Sequence, residues 1–351
     1  MGRRWRTTAL SYAYDAKYGM VTTVQDDGDW TATGDETCTR TWYARNDANG
    51  LTALVSRTRT VARPCATPDA SLSLPTGADT RGDVLSDTAT VYDTASATGW
   101  SPDQSPTLGL PTWTGRAKSY PLASGSADRN PLAASGWQTV TTTYDTATAK
   151  LGRPLTVTDA KGRTTTTAYY PASAGPLATK VETKPKLASN GQAHQTTTGY
   201  DPARGVESYV LDLNVKRTEH TYDALGRITA TWLPNRSKSG GDTPNAKFGY
   251  GFERDKAPWT SVSTLKADGT THTTTYALYD SQLRPIQTQT PSPSGGRILT
   301  DTRYDSRGLA YDTYADVWDD KNSPTGGYAR PGSGPRPTAC AHRPPAPGRR
   351  A

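Results

Sequence analysis

A chain of 351 residues is long enough for one large domain or two ordinary ones, yet only 33% of it is hydrophobic, with two Phe and two Met, which argues against a conventional aliphatic core. No apolar run approaches the roughly 20 residues of a membrane-spanning helix, and Met1–Tyr14 holds arginines but no apolar stretch of a secretion signal. The formal charge of +7 sits at the ends, three Arg in residues 1–6 and five in residues 329–351 with no acid in either, so the body between carries −1 and has no basic stripe to follow a nucleic acid.

The 58 Thr, beside 32 Gly, 26 Pro, 19 Tyr and 9 Trp, predict an all-β chain of short strands joined by turns. Disordered chains are poor in aromatics, so this composition does not read as disorder. The chain divides by pattern into a degenerate N-terminal repeat region over 1–70, an irregular, loop-rich connection over 71–138, a β repeat over 139–328, and a Pro/Arg-rich tail over 329–351. The tail cannot bury a core and reads as disordered.

Within the first region, Asp26-Asp27-Gly28-Asp29-Trp30, followed by Asp35-Glu36, is the best place to look for an enzyme or a calcium site. Paired carboxylates beside a sugar-stacking Trp30 suit acid–base work on a glycan. The order of a D-x-[DN]-x-[DN]-G calcium loop is absent, and Asp-Gly pairs are ordinary turn formers, so neither catalysis nor a metal is assigned there, nor to Asp316, Asp319 and Asp320 around Trp318. Cys38, Cys65 and Cys340 show no C-x-x-C spacing, and His194, His220, His272 and His342 are scattered singly, which leaves no structural zinc set. Cys38 and Cys65, with 26 residues between them, either close a loop in an oxidising compartment or stand as two thiols. No G-x-S-x-G elbow, P-loop or G-x-G-x-x-G is present, and no Lys-Ser/Thr follows Gly249-Tyr250-Gly251-Phe252.

Beyond residue 139 the dominant feature is a repeat. Tyr-Asp recurs at Tyr14, Tyr92, Tyr144, Tyr200, Tyr222, Tyr279, Tyr304 and Tyr311. The clearest copy is Tyr222-Asp223-Ala224-Leu225-Gly226-Arg227 between two alternating stretches. Asp in the first turn position bonds its own backbone two residues on, and Gly226 supplies the left-handed conformation that closes the hairpin. A stretched copy runs from Tyr144-Asp145 to Gly152-Arg153, and a second corner, Asp159 to Gly162-Arg163, follows at once. Tyr200-Asp201, Tyr279-Asp280 and Tyr304-Asp305 with Gly308 continue the series. With one tyrosine per unit, Tyr144, Tyr169, Tyr200, Tyr222, Tyr250, Tyr279 and Tyr304 lie 25, 31, 22, 28, 29 and 25 residues apart, a hairpin repeat with variable loops.

The Y-D-x-x-G-R pattern of Tyr222–Arg227, the Tyr304–Gly308 variant and the Asp159–Arg163 corner resemble the YD repeats of bacterial Rhs proteins, which also occur in insecticidal toxin complex subunits and teneurins. Cys38-Thr39-Arg40-Thr41-Trp42-Tyr43-Ala44-Arg45-Asn46, with Arg57–Val61 and Cys65, resembles a block of actinobacterial members. The resemblance covers residues 11 to about 320. It implies tandem β-hairpin repeats forming a curved ribbon or partial shell, which in complete members encloses a toxin passenger and is secreted or associated with the cell envelope. No trafficking domain and no D-P-x-G self-cleavage motif is seen, so the chain reads as a fragment. No cofactor is expected, and the expected partners are other YD-repeat chains, an enclosed toxin passenger or a cell-surface glycan. The expected function is a non-enzymatic scaffold, and the alternative is a carbohydrate-binding module that stacks envelope glycans on Trp30, Trp42, Trp100, Trp113 and Trp137. Trp lining an outer groove favours the module, whereas Trp packed between hairpins favours the scaffold.

Overall fold

The computed structural model describes residues 7–29, 31–77, 79–80, 82–120, 136–146, 151–173, 175–186 and 191–330. Trp30, Cys340, His342 and the tail beyond residue 330 lie outside the described residues. The chain is all β, built of tandem antiparallel hairpins, and the helical turns among the described residues are short 3-10 segments at Asp47–Asn49 and Asp69–Ser71.

Two compact units divide the described residues, one running to Gly175 and resuming over Lys180–Gln195, the other made of Pro176–Thr179 and the residues from Thr196 on. The first unit holds β1 (Leu10–Tyr14), β2 (Val21–Asp26), β3 (Thr37–Asn46), β4 (Leu51–Val61), β5 (Val84–Tyr92), β6 (Pro111–Arg116), β7 (Gln138–Tyr144), β8 (Pro154–Thr158) and β9 (Thr164–Tyr170), each paired antiparallel with the next. β10 (Thr179–Thr183) and β11 (Gln195–Asp201) fall at the division. The second unit continues with β12 (Val206–Leu211), β13 (Arg217–Tyr222), β14 (Ile228–Trp232), β15 (Ala246–Gly251), β16 (Trp259–Leu265), β17 (His272–Tyr279), β18 (Pro285–Pro291), β19 (Arg297–Tyr304) and β20 (Ala310–Asp319). From β11 onward these too pair in chain order. Residues 71–138, read from the sequence as an irregular connection, therefore include two paired strands, β5 and β6, beside their loops.

Burial explains how so few aliphatics suffice. In the first unit Ala89, Val91 and Trp113 form a small apolar cluster with Ala97, Trp100 and Trp137 against it. Beside them lies a buried ion pair: Arg57 donates through Nε to Asp87 Oδ1 at 2.8 Å and through Nη2 to Oδ2 at 2.5 Å, with both side chains inaccessible. Tyr120 also donates its hydroxyl to Asp87. The guanidinium of Arg57 stacks on Trp100 at 4.6 Å, on Trp42 at 5.4 Å and on Trp137 at 5.7 Å. Paired charges and indole faces thus fill space that aliphatic side chains fill elsewhere. Cys38, itself buried, is joined to Cys65 by a disulfide that ties β3 to the loop after β4. In the second unit Leu278 and Leu299 are buried together with Gln287, Gln289 and Asp301.

Candidate functional site

The repeated corner is the feature that recurs through both units, and its geometry follows from the sequence at Tyr222–Arg227. Asp223 Oδ1 accepts the backbone N–H of Leu225 and of Arg227, both at 2.9 Å, and Oδ2 accepts Arg227 Nε at 2.7 Å. The backbone closes around it, Asp223 N–H donating to Arg227 C=O at 2.9 Å and Gly226 N–H to Asp223 C=O at 3.1 Å. Gly226 has φ of 77°, in the left-handed region where a side chain is strained.

Tyr222 sits at a register shift: Thr221 faces Ala230, but Tyr222 faces Ile228. Such a bulge raises the local twist and re-aims a side chain. The same shift falls at Tyr14, Tyr92, Tyr144, Tyr200, Tyr279 and Tyr304. The re-aimed hydroxyl then finds a backbone carbonyl on the preceding strand, Tyr222 on Glu207 at 2.6 Å, Tyr144 on Pro111 at 2.9 Å, and Tyr304 on Pro285 at 2.9 Å. Tyr43, Tyr92, Tyr169 and Tyr250 do the same on Val21, Val55, Pro154 and Ile228. Pro111, Pro154 and Pro285 each open a strand, where a missing N–H costs no ladder bond.

Consecutive corners are linked. Arg227 stacks on Tyr250 at 4.5 Å, and that same tyrosine donates to the carbonyl of Ile228, the residue after Arg227. Arg153 on Tyr169 at 4.5 Å with the Pro154 carbonyl, and Arg284 on Tyr304 at 4.6 Å with the Pro285 carbonyl, repeat the arrangement. Each tyrosine therefore clamps the corner before it, through a cation–π contact and one hydrogen bond.

The residues singled out in the sequence fall into this scheme with variations. Arg153 donates from N–H to Asp145 Oδ1 and from Nε to Oδ2, both at 2.6 Å, so the stretched corner through Gly152 closes like the short one. Asp159 accepts Arg163 N–H at 3.0 Å and Nε at 2.8 Å across Gly162. Asp201 accepts Ala203 N–H and Arg204 Nη1, with Gly205 one position later than Gly226 in its corner. Asp280 accepts Gln282 N–H, Arg284 N–H and Arg284 Nε, while Tyr279 pairs its hydroxyl with Thr260. Asp305 takes Arg307 and the N–H of Leu309 across Gly308.

Sequence reasoning missed the corner at Asp212–Lys216, where Asp212 Oδ1 accepts Asn214 and Lys216 N–H at 2.8 Å and Val215 stands in the glycine position at φ 59°. It also missed that Leu283 plays the glycine part, at φ 59°. An Asp followed four residues later by a basic residue was the available signal. Tyr311-Asp312 differs in the other direction: both lie inside β20, and Asp312 faces Arg303 without forming a corner.

The acidic loop spends its carboxylates on its own backbone. Asp26 accepts Gly28 N–H at 2.9 Å, Asp35 accepts Asp29 N–H at 2.8 Å, and Asp29 accepts Thr31 N–H at 3.0 Å. Asp319 is held by Arg297 at 2.8 Å. Among the described residues no three His, Cys, Asp or Glu side chains gather as a metal would require. Trp113 is buried with its ring edge-on to Trp137 at 5.3 Å, Trp42 is edge-on to Trp100 at 5.8 Å, and Trp259 is edge-on to Tyr276 at 5.3 Å.

Four of the corner carboxyls are shifted in the same direction. The side-chain bond from Arg163 holds the Asp159 carboxyl down at about 2. Backbone donation from Arg227, Arg284 and Leu309 lowers Asp223, Asp280 and Asp305 below the usual carboxylate range. Carboxylates held ionised in this way keep accepting the donors of their own corners near neutrality.

No protein-family model matches the sequence, and no curated protein matches it. Among solved structures the chain is similar to the crystal structure of TcdB2-TccC3, with a TM-score of 0.55 and 12% identity over 85% of this chain. The two share a fold. This chain spans 20% of the length of TcdB2-TccC3. A structure of the Photorhabdus luminescens Tc holotoxin pore with a mutated TccC3 aligns with 90% of this chain and 17% of that one at 14% identity, with a TM-score of 0.40 that is too low to add to the comparison. The fold shared with TcdB2-TccC3 agrees with the YD-repeat resemblance carried by Tyr222–Arg227.

Proposed function

We propose that this chain is a non-enzymatic structural scaffold, part of a YD-repeat shell of an Rhs-type toxin-delivery or cell-surface protein. Its partners on this reading are other YD-repeat chains or an enclosed passenger, in a secreted or envelope setting. The observation that carries it is the clamp between corners, in which the repeated Tyr, Asp and Arg side chains are spent on holding one hairpin to the next. The fold shared with TcdB2-TccC3 supports the same reading. The indoles of Trp42, Trp100 and Trp137 pack against Arg57, and Trp113 is buried edge-on to Trp137, which favours a scaffold over a glycan-stacking module.

Cross-linking mass spectrometry on the chain in the cells that make it tests the proposal. Cross-links to a second YD-repeat sequence or to an enclosed passenger are expected, together with no retention on a glycan array. A chain recovered only by itself and retained by envelope glycans would overturn it in favour of the carbohydrate-binding module.

A further inference from the structure

Buried carboxamides are expensive unless every donor and acceptor is met. Gln287 and Gln289, two residues apart on one face of β18, are 1% and 0% exposed. They meet their partners in a segment that is not a strand, residues 323–329, which follows β20 and lies over this face. Gln287 Oε1 accepts Ala329 N–H at 3.0 Å while its Nε2 donates to Ala329 C=O at 2.7 Å. Gln289 Oε1 accepts Thr325 N–H at 2.9 Å and its Nε2 donates to Gly327 C=O at 2.8 Å. The two glutamines bond each other at 2.8 Å, and Asp301 and Arg297 take up the remaining valences at 3.1 Å and 2.9 Å. Arg297 Nη1 also reaches Ser323 C=O at 3.4 Å.

A side-chain amide offers one donor edge and one acceptor, as a residue in a strand does. Here two of them read the main chain of residues 325, 327 and 329, every second residue, as an added strand would be read. Tyr328, whose hydroxyl donates to Asp301 at 3.2 Å, supplies the one side-chain bond to this face among the described residues of the segment. Shape adds a second criterion: a Cβ at Gly326 would come within 2.4 Å of Trp259 Nε1, so a glycine is required over that ring.

We propose that the Gln287–Gln289–Arg297 face is a binding site for an extended, glycine-containing polypeptide recognised through its backbone, and that residues 323–329 are a built-in ligand that a second peptide of the same form replaces. The site stands apart from the scaffold reading, because it requires only this face and the segment on it. Specificity resides in main-chain amides and in a small residue above Trp259, so unrelated sequences that satisfy both compete for it.

The test uses the full chain carrying Gly326→Leu, which drives its own segment off Trp259 and leaves both glutamines intact. The probe is a fluorescein-labelled Ser-Pro-Thr-Gly-Gly-Tyr-Ala-Arg peptide followed by anisotropy. The variant should bind it at least about tenfold more tightly than the native chain, where the tethered segment competes at high effective concentration. N-methylation of the peptide at the Thr325 and Ala329 positions should weaken binding by about tenfold or more, as expected for lost donors to buried acceptors, while Ser-to-Ala and Thr-to-Ala changes in the peptide should leave it within about threefold. Equal binding by the native chain and the variant, indifference to N-methylation, or dependence on the Ser and Thr side chains would overturn the proposal. If circular dichroism shows that Gly326→Leu is not folded, the smaller Gly326→Ala, whose Cβ alone would meet Trp259 Nε1 at 2.4 Å, displaces the segment in its place, and the same outcomes decide.

Discussion

At the scale of single residues, the corner is a contest between backbone strain and hydrogen bonding. Gly226 has open space where a Cβ would stand, so Gly226→Val tests the left-handed φ of 77° alone and should destabilise the protein by about 1 kcal/mol or more in thermal unfolding. Val215 is the mirror experiment, since a β-branched residue at φ 59° is already strained. Val215→Gly should raise stability by about 0.5–1 kcal/mol, the relief of strain less the entropy of glycine, and a lower melting temperature would contradict this. Tyr250→Phe removes one hydroxyl from the Ile228 carbonyl while keeping the ring that Arg227 stacks on, and should cost about 1 kcal/mol by denaturant unfolding.

The element scale shows what local sequence makes legible. Tyr222–Arg227 announces its hairpin because every determinant is local: the Asp that bonds two residues on, the Gly that turns left, the Arg that returns to the Asp. Corners at Asp212–Lys216 and Asp280–Arg284 lack the glycine, so the turn is enforced by Asp bonds that a search for Asp-to-Gly spacing passes over. β5 and β6 were hidden by the loop between them, where Asp93 collects the N–H groups of Thr107, Leu108, Gly109 and Leu110 from far along the chain. The face of Gln287 and Gln289 was invisible for a related reason, because nothing near β18 in sequence tells what covers it. Long-range burial also decides the stability of the first unit. Asp87→Ala leaves Arg57 buried among three indoles without its carboxylate and should cost about 3–5 kcal/mol, and a loss below about 1 kcal/mol in urea unfolding would show that water reaches the site.

For the whole molecule, the shared chemistry of the corners predicts a shared pH dependence. A carboxylate whose folded pKa lies below its unfolded value near 3.9 contributes its full stabilisation above that value and loses it as pH falls through the folded one. Asp159 at about 2, with Asp223, Asp280 and Asp305 also lowered, places the loss between about pH 4 and pH 2, and melting temperatures should be flat from pH 7 to about pH 5 before falling. A repeat array in which each hairpin leans on its neighbours also behaves as a chain of locally coupled units, so damage stays near its origin.

Hydrogen exchange on Asp223→Ala tests that clamp most directly. The substitution removes the acceptor for Leu225 N–H, Arg227 N–H and Arg227 Nε, and so unseats the guanidinium that Tyr250 grips. Amides of β13, β14 and β15 should lose protection while those of β18 and β19 keep it. Unchanged protection on both sides of the corner, or an equal loss in β18 and β19, would contradict a scaffold held hairpin to hairpin by its Tyr-Asp-Arg clamps.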